Sequence, residues 1–296
     1  MICWSNRCCQ SATTPTEANV KPIDARVPAV ITAAFPPIPP ASERFGFSVK
    51  QTGGHMARSM MLNELTLLIG TLPAAAAPGD YRQAILANNS LGKPTFSSRD
   101  NSFRHLRQLY SLDPARTLFR LLRRLAAEDA ASLPLLAMIC AVCRDPQLRH
   151  SFTLIDALKP GEVLLRPRME DHLEAGFPGR FSPVMKATLA QHVNTTWTAA
   201  GHLTGRVRKV RTRPVPRQAA TVYALLSGYL LGLRGEILLR STFTRLVTTD
   251  PAQVTAHLAA ASACGWVRFH QAGGVTEIDF APLLTADEQE HCRGPS

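Results

Sequence analysis

Four dipeptides, Asp113-Pro114, Asp145-Pro146, Ser182-Pro183 and Asp250-Pro251, each precede a run of apolar residues spaced three and four apart. In each pair an acceptor side chain can take the free amide hydrogens of a first helical turn. The proline sits where no amide hydrogen is needed. These pairs predict helices over about 114–127, 146–157, 183–200 and 251–264, with a further apolar helix over 130–143 placed centrally in a bundle.

The same spacing continues upstream. Residues 56–72 repeat Met60, Met61, Leu65, Leu68 and Leu72. Residues 80–87 make a short helical pattern, and residues 98–112 bring Phe103, Leu106, Leu109 and Tyr110 to one side. Strand signals are scarce. One is the hairpin pattern of residues 266–280, alternating around Ala272-Gly273-Gly274, with Trp266, Arg268 and His270 on one face and Val267 and Phe269 on the other. The other is the stretch LTGRVRKVRTRPVPR (203–217).

The expected fold class is therefore mainly α. A helical bundle (44–158) is followed by a helix with a basic wing-like segment (159–217) and a C-terminal winged-helix-like unit with a short β-hairpin (218–285). Residues 286–296 form a tail. Residues 1–43, rich in Pro, Ala, Thr and Ser with PPIPP at 36–40, read as a disordered leader, or as an extension upstream of the natural start codon.

Charge narrows the partner. The chain carries a formal +11, a balance that favours a polyanion through release of counterions from phosphates. Residues 161–217 hold ten basic groups against four acidic ones, a surplus of six. Six of the ten (Arg206, Arg208, Lys209, Arg211, Arg213 and Arg217) lie in the 203–217 stretch, with no acidic residue among them. Its place after helix 183–200 suggests a strand whose arginines reach phosphates or a minor groove; a basic linker is the alternative.

In helix 183–200, Met185, Leu189, Val193 and Trp197 are expected to be buried. Lys186, Gln191, His192, Asn194, Thr195 and Thr196 lie on other sides, a mix able to hydrogen-bond base edges. In helix 114–127, Arg116, Arg120 and Arg124 form an i, i+4, i+8 row, with Arg123 beside it and Leu118, Leu121, Leu122 and Leu125 opposite. That row can track a phosphate backbone or pair with neighbouring acids.

Enzyme signatures are lacking. There is no GxxxxGK[ST] loop, no GxSxG elbow and no HExxH, and TGGHMARS (52–59) has neither the spacing nor the lysine of a phosphate loop. The nine histidines are scattered singly, and Glu170, Asp171 and Glu174 read as a solvated face. No cofactor, metal or catalytic residue is expected. Cys140 and Cys143 form a lone CxxC inside an apolar helical run, which reads as two core residues of a protein kept in the reducing cytoplasm. The longest nearly uncharged apolar run, residues 133–143, is far too short to span a membrane, and no membrane partner is expected.

Five blocks, TGGHMARSMML (52–62), ILANNSLGKPTFSSRDNSFRHLRQLY (85–110), LLAMICAVCRDPQLRHSF (135–152), GYLLGLRGEILLRS (228–241) and GWVRFHQAGGVTEIDF (265–280), resemble the BrxA family of accessory proteins in BREX phage-defence systems. The likeness spans about 50–280, in pattern and order rather than through a catalytic signature. Stretch 203–217 is more basic than that family's usual pattern. The resemblance implies a NusB-like helical bundle with winged-helix elements, double-stranded DNA binding without catalysis, and operation beside other proteins of the same defence system. Structured RNA and a protein scaffold are the alternative partners.

Overall fold

The computed structural model describes residues 34–272 and 275–293. The bundle runs α1 (Leu62–Thr71), α2 (Pro78–Leu86), α3 (Phe96–Tyr110), α4 (Thr117–Glu128), α5 (Leu133–Arg144) and α6 (Pro146–Ala157). Every residue of α5 from Leu135 to Cys143 is buried, and α5 packs against α1, α3, α4 and α6. A helix apolar on all sides can be covered only by neighbours on all sides, which puts it at the centre.

Three of the four Pro-marked starts cap as their chemistry dictates. Asp145 accepts from the amides of Gln147 and Leu148, Ser182 from Met185, and Asp250 from Ala252. The fourth makes a turn instead. Asp113 accepts from the Ala115 amide, Arg116 takes extended backbone angles, and α4 begins only at Thr117. The helix expected over 56–72 also starts late. Residues 54–56 form a 3-10 turn, and Met61 sits in the left-handed region at φ 51°, so α1 opens at Leu62.

After α6 come β1 (Val163–Leu164), α7 (Arg166–Gly176), α8 (Pro183–Ala199), β2 (Leu203–Thr204) and β3 (Lys209–Arg211). The strands form an antiparallel sheet in the order β1-β3-β2, with Val163 opposite Val210 and Leu203 opposite Arg211. The chain continues through α9 (Gln218–Leu230), α10 (Gly235–Leu239), α11 (Thr242–Arg245) and α12 (Pro251–Ala263). It ends in the hairpin β4 (Arg268–Ala272) and β5 (Val275–Asp279), then α13 (Ala286–Arg293). The hairpin pairs Phe269 with Ile278 and His270 with Glu277; its two turn glycines lie outside the described residues.

The expected boundaries need correction at both ends and in the middle. Phe35 packs edge-on against Phe243 at 5.0 Å and near Phe152 at 5.8 Å, while residues 40–45 form a 3-10 turn. Phe35 and Ile38 thus pack against the core although most of residues 34–43 stay exposed, whereas the leader reading for residues 1–33 lies outside the described residues. The 286–293 segment is a packed helix and not a loose tail. Its Glu288 is buried and accepts hydrogen bonds from Thr117 and Arg120 of α4. Helix α9 packs against α4, α5, α11 and α12, so it shares the bundle's core, and the described residues form one compact unit.

Candidate nucleic-acid interface

The basic stretch forms a tight hairpin. Gly205 has φ +92°, and a Cβ there would fall 2.1 Å from the carbonyl oxygen of Arg208, so the turn requires glycine. The Lys209 ammonium donates to the Gly205 carbonyl at 2.8 Å across the same turn. This leaves Arg206, Val207 and Arg208 projecting, with Val207 92% exposed. Neither Arg206 nor Arg208 enters an ion pair or a side-chain hydrogen bond among the described residues.

The other basic groups of the stretch are spent within the fold. Arg211 is 5% exposed, and its guanidinium donates to the carbonyls of His202 (3.0 Å) and Thr212 and faces His202 Nδ1 at 3.2 Å. Burial draws its pKa down to about 10. A guanidinium can only donate, so Nδ1 of His202 is the acceptor and Nε2 carries the hydrogen given to the Leu246 carbonyl at 3.0 Å. Burial, followed by Arg211, pulls the His202 imidazole down to about 3. The expectation that Arg211 reaches phosphate is corrected: it is a buried residue of β3 whose guanidinium is engaged by His202 and Thr212. Arg213 remains exposed while donating to Thr249 Oγ1 at 2.9 Å, and Arg217 pairs with Asp129 at 3.2 Å.

Helix α8 sorts its residues differently from the simple stripe. Leu189, Val193 and Trp197 are buried as expected, but Met185 is 46% exposed beside Val184 at 77%. Residues 182–185, where α8 begins, are exposed. Asn194 is buried at 4% exposure, so it cannot present its amide to a base. His192 is half-buried, its Nδ1 bonded to the His55 carbonyl at 2.9 Å. Lys186 pairs with Glu174 at 3.2 Å; the Gly179 amide and then Lys186 hold that carboxyl below its usual range. Of the α8 candidates, Thr195 lies fully on the surface, in a ridge with Thr188 and Gln191. The sequence reading passed over Thr188, although the 4-3 spacing 195–191–188 marks one helix face.

The arginines of 116–124 are mostly engaged within the fold, although Arg124 stays exposed. Arg116 donates to the Glu43 carbonyl at 3.3 Å, Arg120 pairs with Glu288, and Arg124 donates to the Pro282 carbonyl at 3.2 Å. Arg123 is buried and donates to the carbonyls of Leu72 and Pro73 and to the Tyr81 hydroxyl. As a continuous phosphate-tracking row this reading is corrected: Arg116 holds the N-terminal turn and Arg120 holds α13 onto the bundle, while Arg124 stays exposed beside Pro282.

The TGGHMARS segment, unlike a phosphate loop, builds a buried polar chain. The Gly53 amide donates to Gln147 at 2.8 Å, and the His55 amide and Nδ1 both donate to Asp145 Oδ2 at 2.8 Å. Thr196 Oγ1 lies 2.8 Å from His55 Nε2 and accepts from the Met60 amide at 3.0 Å. Burial would raise the Asp145 carboxyl, but the charge and hydrogen bonds of His55 outweigh it and hold the group below its usual range. A Cβ at Gly53 would overlap the Asp145 carboxylate at 1.9 Å, which explains the first glycine of the pair. The array resembles a catalytic Asp-His-Thr arrangement in its distances, and all three side chains are buried.

Cys140 and Cys143 are buried thiols, with burial raising Cys140 to about 11 and Cys143 further. Among the described residues, no group of three or more His, Cys, Asp or Glu residues could hold a metal ion, and no helix is long and apolar enough to cross a membrane. No family model matches the chain, and no curated protein matches it either.

Proposed function

We propose that residues 146–211 act as a winged helix that binds duplex DNA, with α8 as the groove-facing helix and the 205–208 tip as the wing. The order α6, β1, α7, α8, β2, β3 with the sheet order β1-β3-β2 supports this reading. The observation that carries it is the exposed Arg206-Val207-Arg208 tip, two unpaired guanidiniums held by a glycine-dependent turn directly after a helix with an uncharged polar ridge. Free arginines at such a tip suit phosphates or a narrow minor groove, while Thr188, Gln191 and Thr195 suit hydrogen bonding in a groove.

The hairpin β4–β5 after α12 is a second wing-like element, although the Arg268–Asp279 pair at 2.8 Å neutralises part of its charge. The wider proposal, carried by the sequence resemblance, is a non-catalytic BrxA-type accessory protein of a BREX system, working in the cytoplasm beside the other proteins of that system. Structured RNA is the second reading.

Fluorescence anisotropy with labelled duplex DNA, duplex RNA and single strands over a range of salt tests the proposal. Duplex DNA is expected to bind most tightly, with an affinity that falls steeply as salt rises. Tighter binding of RNA would favour the second reading, and no binding at low salt would favour a protein scaffold.

A further inference from the structure

The TGGHMARS loop carries one group that its core role does not use. Arg58 is exposed and makes no ion pair or side-chain hydrogen bond among the described residues. Its loop is held from two sides. The 3-10 turn 54–56 packs against both α3 and α8; Gln108 of α3 donates to the Thr52 carbonyl at 3.3 Å, and His192 of α8 bonds the His55 carbonyl.

On α3, Arg104 lies one turn before Gln108, 60% exposed, and is oriented by Asp100 at 3.1 Å. His105 of α3 is held below the ordinary imidazole range by burial, then by Arg58, Arg104 and His192. His192 is lowered by burial too, which outweighs its bond to the His55 carbonyl, with His55 and Arg58 adding to the effect. Two imidazoles from different helices thus lie close enough to Arg58 for its charge to act on both, after burial.

Position distinguishes this cluster from an ordinary solvated face. The exposed ridge of α8, Thr188-Gln191-Thr195, carries no charge of its own, so phosphate contacts alongside it must come from neighbouring segments. Arg58 stands on a loop locked to α8 through the His55–Thr196 and Met60–Thr196 bonds, which lowers the cost of ordering it on a ligand.

We propose that Arg58, with Arg104, forms a second phosphate-binding clamp beside α8, gripping the sugar-phosphate backbone at a point separate from the 205–208 tip. The clamp rests on the duplex-binding reading above. It gives α8 a backbone anchor on the bundle side as well as the one on the wing, and two anchors fix the register in which a helix lies in a groove.

Duplex titrations over several salt concentrations test it, using wild type, R58A/R104A, R58K/R104K and R206A/R208A. R58A/R104A is expected to weaken binding about tenfold or more and to lower the slope of log K against log salt by roughly one to two units. R58K/R104K should keep most of the slope. If R206A/R208A weakens binding while R58A/R104A changes neither affinity nor slope, the clamp is overturned and the duplex-binding reading stands. If wild type does not bind at low salt, that reading fails and the clamp with it. Thermal unfolding monitors the fold; should the double variant melt early, R58A alone, which removes no ion pair or side-chain hydrogen bond among the described residues, gives the same decision.

Discussion

Arg211 and His202 form a buried pair in which the guanidinium, 3.2 Å from Nδ1, dictates the tautomer of the imidazole, while burial and then the Arg211 charge keep it neutral. The most central arginine of the basic stretch is thereby a structural strut. Its neighbours Arg206 and Arg208, identical in chemistry and three to five residues away, make no ion pair or side-chain hydrogen bond among the described residues. The two kinds of arginine should separate cleanly on mutation.

Arg211→Ala is expected to lower stability by about 2 kcal/mol or more, because it leaves the Thr212 carbonyl and His202 Nδ1 without their donor, while the His202 carbonyl keeps the Thr212 amide. Urea unfolding followed by circular dichroism measures this. R206A/R208A should stay within about 0.5 kcal/mol of wild type in the same assay. On the proposed function it should also lose roughly two units of salt slope on duplex DNA.

Acid should destabilise the protein through His202 and Asp145. Between the ordinary imidazole value of 6.5 and the folded value of about 3, the unfolded chain takes up a proton at His202 that the folded chain refuses, so stability falls as pH falls through that window. Asp145, held below its ordinary 3.8, adds a further loss as pH drops through that value and below. Unfolding midpoints measured from pH 7 to pH 3 should decline, and His202→Gln should flatten the upper part of the decline. A midpoint independent of pH over that range would contradict the buried neutral imidazole.

Gly53→Ala places a methyl group inside the Asp145 carboxylate and should cost about 1–3 kcal/mol or prevent folding. Asp145→Asn removes the charge facing His55 and weakens the α6 cap, and should cost about 2–4 kcal/mol. Thermal denaturation compares the two. Both should act on stability with no direct effect on any surface contact.

Arg120→Ala is expected to release α13, since it removes the partner of buried Glu288. Burial raises the Glu288 carboxyl, but the bonds from Thr117 and Arg120 outweigh it and hold the group ionised. Limited proteolysis should then cut near 284–293 earlier than in wild type. On the proposed function, duplex affinity should be unaffected, the reverse of what a phosphate-tracking row would give.

Much of the helical plan was legible in the sequence, because a helix start is a local event. Asp145, Ser182 and Asp250 each cap the helix that follows them, and the all-apolar run 133–143 could lie nowhere but the centre. Asp113 misled because its neighbour Arg116 is drawn out of the helix toward the Glu43 carbonyl, a contact seventy-three residues away in the chain. The same non-locality hid the fate of the arginines. Arg120 and Arg206 look alike in sequence, and only the return of α13 onto α4 distinguishes a strut from a free cation. The purpose of TGGHMARS was hidden for that reason too, since its partners Asp145 and Thr196 come from α6 and α8.

The buried chain from Asp145 through His55 to Thr196 has a mechanical consequence. One carboxylate seats the first turn of α6 and the loop 53–55, and that loop grips α8 at Thr196 near its C-terminal end, so a pivot of α8 on the bundle would break this chain. A surface set so firmly before contact offers little give of its own. Whatever docks along α8 must supply the bending needed for a close fit, and partners would be sorted by how readily they deform.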